Sequence, residues 1–313
     1  MTATETIPAL SHQHWQYERP QPGGIVVGID GSPQSLVALD TAAAIAMREK
    51  LAVHAVGVIP PISSYHINPG AVSSQKNIDD LRIGLKNEQL AEIVENIDQA
   101  LKPTYQCVIG APANSLVRTA QSRQADLIIV GRHAHGVIDR ALGNETTLHV
   151  MRTSSVPVLA VDKQTGLPRK VVAAVDFSVA SIEAVKAALR IMRTDGTLDL
   201  CYVTPPLELM PEGFAVPYDD SLTNDITNAF AHLTNRLRIP SGIRVQRTVL
   251  TGRTADCVIE HAERVGADMI AIGSHRHSAI GRIFLGSVST SITTRASCAV
   301  LVSPPMERSP LIK

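Results

Sequence analysis

The sequence predicts an α/β protein built from two tandem Rossmann-like units, each a five-stranded parallel sheet between helices. Hydrophobic residues make up 44% of the 313 residues and aromatic residues only 3%. A core of Val, Ile, Leu and Ala suits parallel strands that are buried on both faces. Short apolar runs alternate with longer amphipathic stretches, as expected of β-α units. At about 150 residues per domain, the length also suggests two domains.

An internal repeat supports this division. The segment IVVGIDGSPQS (25–35) corresponds to VVAAVDFSVAS (171–181), and ADLIIVG (125–131) corresponds to ADMIAIG (267–273). Further pairs follow in the same order and at nearly constant separation. Chance similarity between apolar strands would not preserve this order, so the chain is predicted to contain the same supersecondary unit twice.

The repeat and the turn residues between its copies set the predicted domain boundaries. The segment QTGLPR between the copies is a short linker rich in turn residues. The predicted organisation is a polar tail at 1–23, a first unit at 24–163, the linker at 164–169, a second unit at 170–304 and a tail at 305–313.

Apolar runs bounded by turn residues predict the strands, and amphipathic periodicity predicts the helices. The predicted strands are Ile25–Ile29, Val53–Ile59, Tyr105–Ile109, Leu127–Val130, Pro157–Val161, Val171–Val175, Leu198–Val203, Val245–Leu250, Met269–Ile272 and Val300–Val302. The predicted helices are Ser35–Glu49, Asn77–Leu101, Ser115–Ser122, Ala180–Met192, Leu222–Leu237 and Ala255–Val265, and one more opens in each unit near Gly143 or Gly286.

Right-handed crossovers would wind these elements into a doubly wound sheet. Its ligand crevice should lie at the carboxyl ends of the strands, where the strand order reverses. Two long segments, Pro60–Gln75 and Thr204–Ser221, follow the second strand of each unit at that edge. Such segments are either lids over a site or variable surface loops, and the sequence leaves both interpretations open.

Composition argues against several classes of protein. Lys plus Arg equals Asp plus Glu, at 29 each, so no overall basic charge points to nucleic acid. The four cysteines form no C-x-x-C pair, which argues against a zinc ribbon or a redox motif. No apolar run reaches the length of a membrane span, and residues 1–24 do not resemble a secretory signal. We therefore expect a cytoplasmic protein.

The glycine patterns of the chain indicate which phosphate chemistry to expect. Neither G-x-x-x-x-G-K-[ST] nor a G-x-G-x-x-G after the first strand is present. After the fourth strand of the second unit the sequence reads Gly273-Ser274-His275-Arg276, then nine residues, then Gly286-Ser287. Glycine allows close backbone approach, and the free N–H groups at a helix start attract an anion. This loop is therefore a candidate phosphate cradle.

These residues resemble the universal stress protein family, and the resemblance covers nearly all of residues 24–304. Members carry a first strand that ends in Asp, often followed by Gly-Ser, here Asp30-Gly31-Ser32 and, in weaker form, Asp176-Phe177-Ser178. They also carry G-x2-G-x9-G-[ST] after the fourth strand. In the ATP-binding branch, the resemblance implies that Asp30 with Val58, and Asp176 with Val203, hold the adenosine. It also implies an adenine nucleotide α-hydrolase-like fold and units packed as a pseudo-dimer.

Both copies depart from the family motif. Arg276 replaces the middle glycine of the second copy, where it would either block the phosphate path or clamp the phosphates through its guanidinium. In the first copy Ala134 stands at that glycine and Asn144 stands where Ser287 stands. The neighbouring Glu145 would compete with phosphate for the helix start. We therefore expect the first phosphate site to be impaired and the second to be closer to intact.

The candidate ligand residues follow from these motifs. They are Asp30, Val58, Gly131, Ala134, Gly143 and Asn144 in the first unit, and Asp176, Val203, Gly273, Arg276, Gly286, Ser287 and Ser289 in the second.

Other polar residues have simpler explanations. The H-x-H pairs at 133–135 and 275–277 are solvent-exposed loop histidines, phosphate contacts or, least favoured, metal ligands. Asp126 and Asp268 are expected to cap the turn that precedes them, and Ser32 to cap a helix.

The leading hypothesis is a stress-response protein that binds ATP, with or without Mg²⁺, as a switch with little or no catalysis. Slow hydrolysis of ATP is compatible with it. The alternative is a degenerate adaptor that binds no nucleotide and acts through protein partners. An enzyme of related fold would need a Gly-rich loop after the first strand or an H-x-x-H or H-x-G-H signature, which the chain lacks. A homodimer is compatible with either hypothesis.

Overall fold

The computed structural model describes residues 23–61, 72–98, 101, 103–132, 143–163, 166–204, 220–276 and 283–305. Its strands are β1 (Ile25–Gly28), β2 (Val53–Ile59), β3 (Thr104–Ile109), β4 (Leu127–Gly131), β5 (Val158–Val161), β6 (Lys170–Ala174), β7 (Thr197–Thr204), β8 (Arg244–Thr251), β9 (Met269–Gly273), β10 (His275–Arg276), β11 (Ile283–Phe284) and β12 (Ala299–Ser303). Its helices are α1 (Pro33–Glu49), α2 (Val72–Glu95), α3 (Pro112–Ser122), α4 (Gly143–Thr153), α5 (Val179–Ile191), α6 (Asp220–Arg236), α7 (Thr254–Val265) and α8 (Ser287–Arg295).

Ten of the described strands form one continuous sheet in the order β3-β2-β1-β4-β5-β12-β9-β6-β7-β8. In this ten-stranded sheet, every strand pair inside a unit is parallel. The strand order reverses between β1 and β4 in the first unit and between β6 and β9 in the second. The predicted α/β class, with two doubly wound units of five strands, is therefore confirmed.

The two units meet through their last strands. β12 pairs with β5 in the antiparallel sense, with Leu301 opposite Leu159 and Val300 opposite Ala160. All four residues are fully buried. The pairing makes one sheet of the two halves, as the predicted pseudo-dimer requires, and it covers an edge that each unit would otherwise expose.

Local sequence explains how the first helix of each unit begins. The Ser32 side chain accepts a hydrogen bond from the Ser35 backbone N–H at 3.2 Å, and Pro33 occupies the first turn of α1. Ser178 caps α5 in the same way, accepting from the Ser181 N–H at 3.3 Å. A serine side chain satisfies a backbone N–H that has no partner within the helix. The N-cap expected at Ser32 is thus confirmed.

Several element boundaries differ from the prediction. α2 runs over Val72–Glu95, earlier than the predicted Asn77–Leu101, so that residues 72–75 of the supposed loop are helical. α3 begins at Pro112 and not at Ser115, because proline favours the first turn of a helix. The short antiparallel pair β10–β11 was not predicted. Residues 62–71 and 205–219 of the two long segments lie outside the described residues.

The expectation that Asp126 and Asp268 cap their preceding turns was wrong. The carboxylate of Asp268 accepts hydrogen bonds from the backbone N–H groups of Arg169 and Lys170, both at 2.8 Å. Asp126 accepts from the Gly23 N–H at 3.0 Å. Each aspartate therefore fixes the entry of its unit's first strand, a contact that is distant in sequence and has no local signature.

The core consists of two apolar layers, one on each face of the sheet, and each layer contains residues of both units. One layer packs α1, α2, α5 and α6 against the strands, and the other packs α3, α4, α7 and α8. Because the helices cover the two faces of the sheet, a ligand site can form at the edge where the carboxyl ends of the strands lie.

Candidate functional site

A cavity of about 330 Å³ opens at the carboxyl edge of the first unit, between β1 and β4. This is the switch point at which the sequence predicts a ligand crevice. Among the residues that line it are the predicted Asp30, Val58 and Gly131. The other lining residues, which are not among the predicted ligand residues, are Gly28, Ile29, Ser32, Ser35, Val56, Pro112, Leu116, Val130, Thr146 and Thr147.

Asp30 is held in a tight turn at the rim of this first cavity. Its Oδ1 accepts hydrogen bonds from the Ser32 backbone N–H at 2.9 Å and from the Ser32 hydroxyl at 2.6 Å. Partial burial alone would raise the pKa of the Asp30 carboxyl, but the hydrogen bonds from Ser32 and Ser35 outweigh that effect and lower it. The carboxylate is thus an ionised acceptor, suited to ligand hydroxyl groups.

A second cavity of about 260 Å³ occupies the same place in the second unit. It brings together six of the predicted residues, which are Asp176, Val203, Gly273, Gly286, Ser287 and Ser289. The other lining residues, which are not among the predicted ligand residues, are Ala174, Val175, Ser178, Ser181, Cys201, Tyr202, Thr254, Ile272 and Val288.

The Asp turn of the second unit has the same hydrogen bond but a different residue at its centre. Asp176 Oδ1 accepts from the Ser178 backbone N–H at 3.0 Å. The intervening residue is Phe177, whose φ is 61°. Its ring lies 5.2 Å from that of Tyr202 and 5.3 Å from that of Phe230, measured between centroids. An aromatic cluster therefore supports one side of the second cavity's rim.

The glycines that end β4 and β9 have a structural role besides lining the cavities. A Cβ on Gly131 would lie 2.6 Å from the backbone carbon of Gln34, and one on Gly273 would lie 2.5 Å from that of Ala180. Backbone atoms cannot yield as a flexible side chain can. Both glycines are thus required for the start of the first helix to pack against the strand end, whether or not a ligand binds.

The start of α8 forms one wall of the second cavity. Gly286 is its N-cap, with ordinary φ and ψ of −60° and 164° and no side-chain hydrogen bond to the helix. Ser287 is exposed, and the buried Ser289 donates to the Gly273 carbonyl at 3.1 Å. Ser289 thus joins the helix to the glycine loop. In the first unit Glu145 lies in the first turn of α4, where it opposes an anion.

The structure leaves part of the predicted site undescribed. Ala134 lies outside the described residues, as do His133, His135 and His277. Gly143 begins α4, followed by Asn144, and Arg276 lies in β10, but only their backbone is described. The alternatives for Arg276, blocking or clamping, therefore both stay open.

Among the described residues, no group of three or more His, Cys, Asp or Glu side chains is placed to hold a metal ion. Among the described helices, none combines the length and apolar character needed to span a membrane.

Comparison with known proteins identifies a family that shares this architecture. The model of the Universal stress protein family matches the chain twice, at residues 24–162 and 168–304. A universal stress protein of Mycobacterium tuberculosis is 25% identical over 311 residues, which cover 90% of this chain and 94% of that protein. One from Methanocaldococcus jannaschii is 30% identical over 140 residues, covering 44% of this chain and 82% of that protein.

A solved structure agrees at the level of the fold. The crystal structure of a universal stress protein from Archaeoglobus fulgidus superposes with a TM-score of 0.62 at 18% identity, covering 91% of this chain and 99% of that one. Because both halves match the family model, the chain belongs to the universal stress protein family, with two of its domains in tandem.

Proposed function

We propose that this protein is a stress-response regulator that binds ATP, with or without Mg²⁺, as a switch with little or no catalysis. The observation that carries the proposal is the pair of cavities of about 330 and 260 Å³ at the two strand-order switch points. Each has an Asp turn at its rim, and each lies beside the start of a helix. A carboxylate acceptor for ribose hydroxyls and a helix start for phosphates are the two ends that a nucleotide needs.

The two units differ in which end is better formed. In the second, the N-cap Gly286 leaves the start of α8 open, with Ser287 as an added hydroxyl. In the first, Glu145 lies beside the corresponding helix start, whereas Asp30 accepts both a backbone and a side-chain hydrogen bond from Ser32. We therefore expect the second unit to bind the phosphates more strongly.

A switch is favoured over an enzyme because the sequence offers no Walker lysine and no paired catalytic base near Ser32. Turnover of ATP at about 1 per second or faster, a usual enzyme rate, would contradict this proposal. We place the protein in the cytoplasm and expect it to act through protein partners or a homodimer.

The test is isothermal titration of ATP and Mg²⁺ into the wild type and Gly286→Glu. Gly286 has backbone angles that any residue adopts, so this change adds a carboxylate at the phosphate end without forcing an unfavourable backbone conformation. Gly84→Glu is the matched control, because Gly84 is exposed on α2 with no atom within 4 Å of an added Cβ. We expect Gly286→Glu to abolish binding and Gly84→Glu to preserve it. Binding that survives in Gly286→Glu would move the site to the first unit.

The competing function is an adaptor without nucleotide, and one observation favours it. α2 exposes an apolar stripe of Ile78, Leu81 and Leu85, which are 45%, 64% and 55% exposed. Residues at this spacing lie on one face of a helix, a feature common to protein-binding surfaces. The absence of heat in the ATP titration, with folded protein, would favour this function over the switch.

A further inference from the structure

Arg132 crosses from the first unit into the second. Its side chain is fully buried, at 1% exposure. One terminal guanidinium nitrogen donates to the Thr293 carbonyl at 3.0 Å and the other to the Cys298 carbonyl at 2.8 Å. Both acceptors belong to the second unit. A guanidinium presents a rigid fork of donors, so two hydrogen bonds fix its position and direction.

Burial lowers the pKa of the Arg132 guanidinium, and the surroundings of the side chain offset part of that cost. Thr293 lies in the last turn of α8, where the helix carbonyls carry partial negative charge and favour a positive group. The carboxylate of Asp162, at 8% exposure, also attracts the guanidinium. A cation buried without such partners would destabilise the fold by several kcal/mol, on the order of the penalty for an unpaired buried charge. The hydrogen bonds and the carboxylate together keep Arg132 at the helix end.

Arg132 lies between the two cavities. It directly follows Gly131, which lines the first cavity, and its backbone N–H donates to the Val161 carbonyl at the end of β5. The helix that it holds, α8, begins at the second cavity with Ser287 and Ser289. One end of α8 therefore lines the second cavity, while the other end is held by the residue that directly follows Gly131 of the first cavity.

A second contact also joins the elements that line the two cavities. α4, whose Thr146 and Thr147 line the first cavity, packs against α8, and the Thr293 hydroxyl contacts the Met151 sulfur at 3.6 Å. Helix packing of this kind transmits displacement because protein interiors are close-packed. The two helices that border the cavities are thus in direct contact across the boundary between units.

The arrangement is not symmetric. Ser274 occupies in the second unit the place of Arg132 in the first, directly after the glycine that lines the cavity. Its backbone N–H and its hydroxyl both bond to the Ser303 carbonyl of its own unit, at 2.9 and 3.4 Å. A serine is too short to reach across. Only in the first unit, therefore, does the residue that follows the cavity glycine reach a helix that lines the other unit's cavity.

We propose that Arg132 is a positioning residue for the second cavity and couples it to the first. By holding the C-terminal end of α8, it fixes where the start of that helix meets a ligand. Because Arg132 is attached to the rim of the first cavity, a ligand there changes affinity in the second. The coupling rests on the proposed nucleotide function, but the positioning of α8 does not.

The first experiment measures that positioning without a ligand. Amide hydrogen exchange of α8 is compared in the wild type, Arg132→Met, Arg132→Lys and Arg190→Met. Arg190 is the control, since it approaches Glu49 of the first unit at 3.9 Å and lies on α5, which packs on the opposite face of the sheet from α8. We expect about tenfold or faster exchange in α8 for Arg132→Met, an intermediate change for Arg132→Lys, and none for Arg190→Met. If Arg132→Met does not fold, Arg132→Lys decides, because it keeps the charge and loses the fork.

Unchanged α8 exchange in the folded Arg132 variants would overturn the proposal. An equal change in Arg190→Met would do so too, because the effect would then belong to the boundary between units as a whole.

The second experiment measures the coupling. The affinity of the second cavity for ATP is titrated with the first cavity intact and with Asp30→Asn, which weakens the first. In the wild type and in Arg190→Met we expect these two affinities to differ by about 5- to 150-fold, the usual range for coupled sites, whereas in Arg132→Met we expect them to be equal. A difference that persists in Arg132→Met, or equal affinities in the wild type, would refute the coupling. If the wild type binds no ATP at all, the proposed function fails, while the exchange result still judges the positioning.

Discussion

Phe177 adopts the left-handed backbone conformation, with φ of 61°, where Gly31 has φ of 95° in the other unit. Glycine adopts this conformation freely, but a residue with a Cβ incurs steric strain of about 1–2 kcal/mol. The Asp turn has the same hydrogen bond in both units, so both need the same backbone bend. In the second unit the packing of Phe177 against Tyr202 and Phe230 offsets the strain.

Two substitutions at Phe177 should separate the strain from the ring contacts. Phe177→Ala and Phe177→Gly both remove the ring, but only glycine relieves the left-handed conformation. We expect the alanine variant to be less stable than the glycine variant by about 1 kcal/mol. Urea unfolding followed by circular dichroism measures the difference.

Gly31→Ala is the reciprocal control. No atom lies within 4 Å of a Cβ at Gly31, so the cost there is conformational and not steric crowding. We expect a loss of about 1 kcal/mol in the same assay. Equal stability of the two Phe177 variants would show that the turn relaxes when the ring is removed.

The β5–β12 ladder should make the two units unfold together. Leu301 is fully buried opposite Leu159, within an apolar layer that both units share. Leu301→Ala should lower the free energy of unfolding by about 2–5 kcal/mol, from the lost burial and the cavity left behind. Val249→Ala, at a side chain 46% exposed on β8, should cost less than about 1 kcal/mol. Calorimetry with two separate transitions for the wild type would contradict the shared core.

Because of His54, the free energy of unfolding should fall as the pH is lowered through a defined range. Burial, assisted by the charge of Arg123, lowers the pKa of His54 to about 4. The unfolded chain, with an ordinary pKa of about 6.5, binds the proton first as the pH falls. The contribution of neutral His54 is therefore fully present above about pH 6.5 and is lost progressively as the pH falls to about 4.

His54→Leu removes this titration while keeping a side chain of similar size. Subtracting its stability from that of the wild type at each pH cancels the other groups, because they are common to both proteins. We expect the difference to change between about pH 6.5 and 4 and to be constant above. A difference that is flat across the whole range would mean that His54 titrates alike in the folded and unfolded states.

A buried hydrogen bond between His261 and Asp199 in the second unit should respond asymmetrically to deletion. His261 Nε2 lies 2.6 Å from Asp199 Oδ2, and the Thr248 hydroxyl donates to the same carboxylate at 2.8 Å. Arg264 donates to His261 Nδ1 at 2.7 Å, so Nε2 carries the proton that Asp199 accepts. His261→Leu leaves that buried carboxylate without one of its donors, at an expected cost of about 1–3 kcal/mol. The double variant Asp199→Leu with His261→Leu should lose less, since no buried charge remains. A double variant that is no better than the single would contradict this account.

The candidate site was predicted only in part. The Asp turns and the glycine that ends β4 or β9 could be found because they recur in both units and have local conformational requirements. Thr146 and Thr254 line the cavities without any such signal, since threonine at a helix start has many uses. The predicted ligand roles at both sites stay predictions that the ATP titration tests.

The sequence by itself determined the elements and their grouping: two repeats of alternating strands and helices, the serine cap at Ser32, and the aspartate that ends each first strand. These features depend on periodicity and on neighbours in the chain, so local physics is enough to establish them. Only the tertiary structure decided that β5 pairs with β12, that Asp126 and Asp268 fix distant strand starts, and that Arg132 reaches α8. Those contacts join residues far apart in sequence, and their energy exists only once the folded chain has brought the partners together.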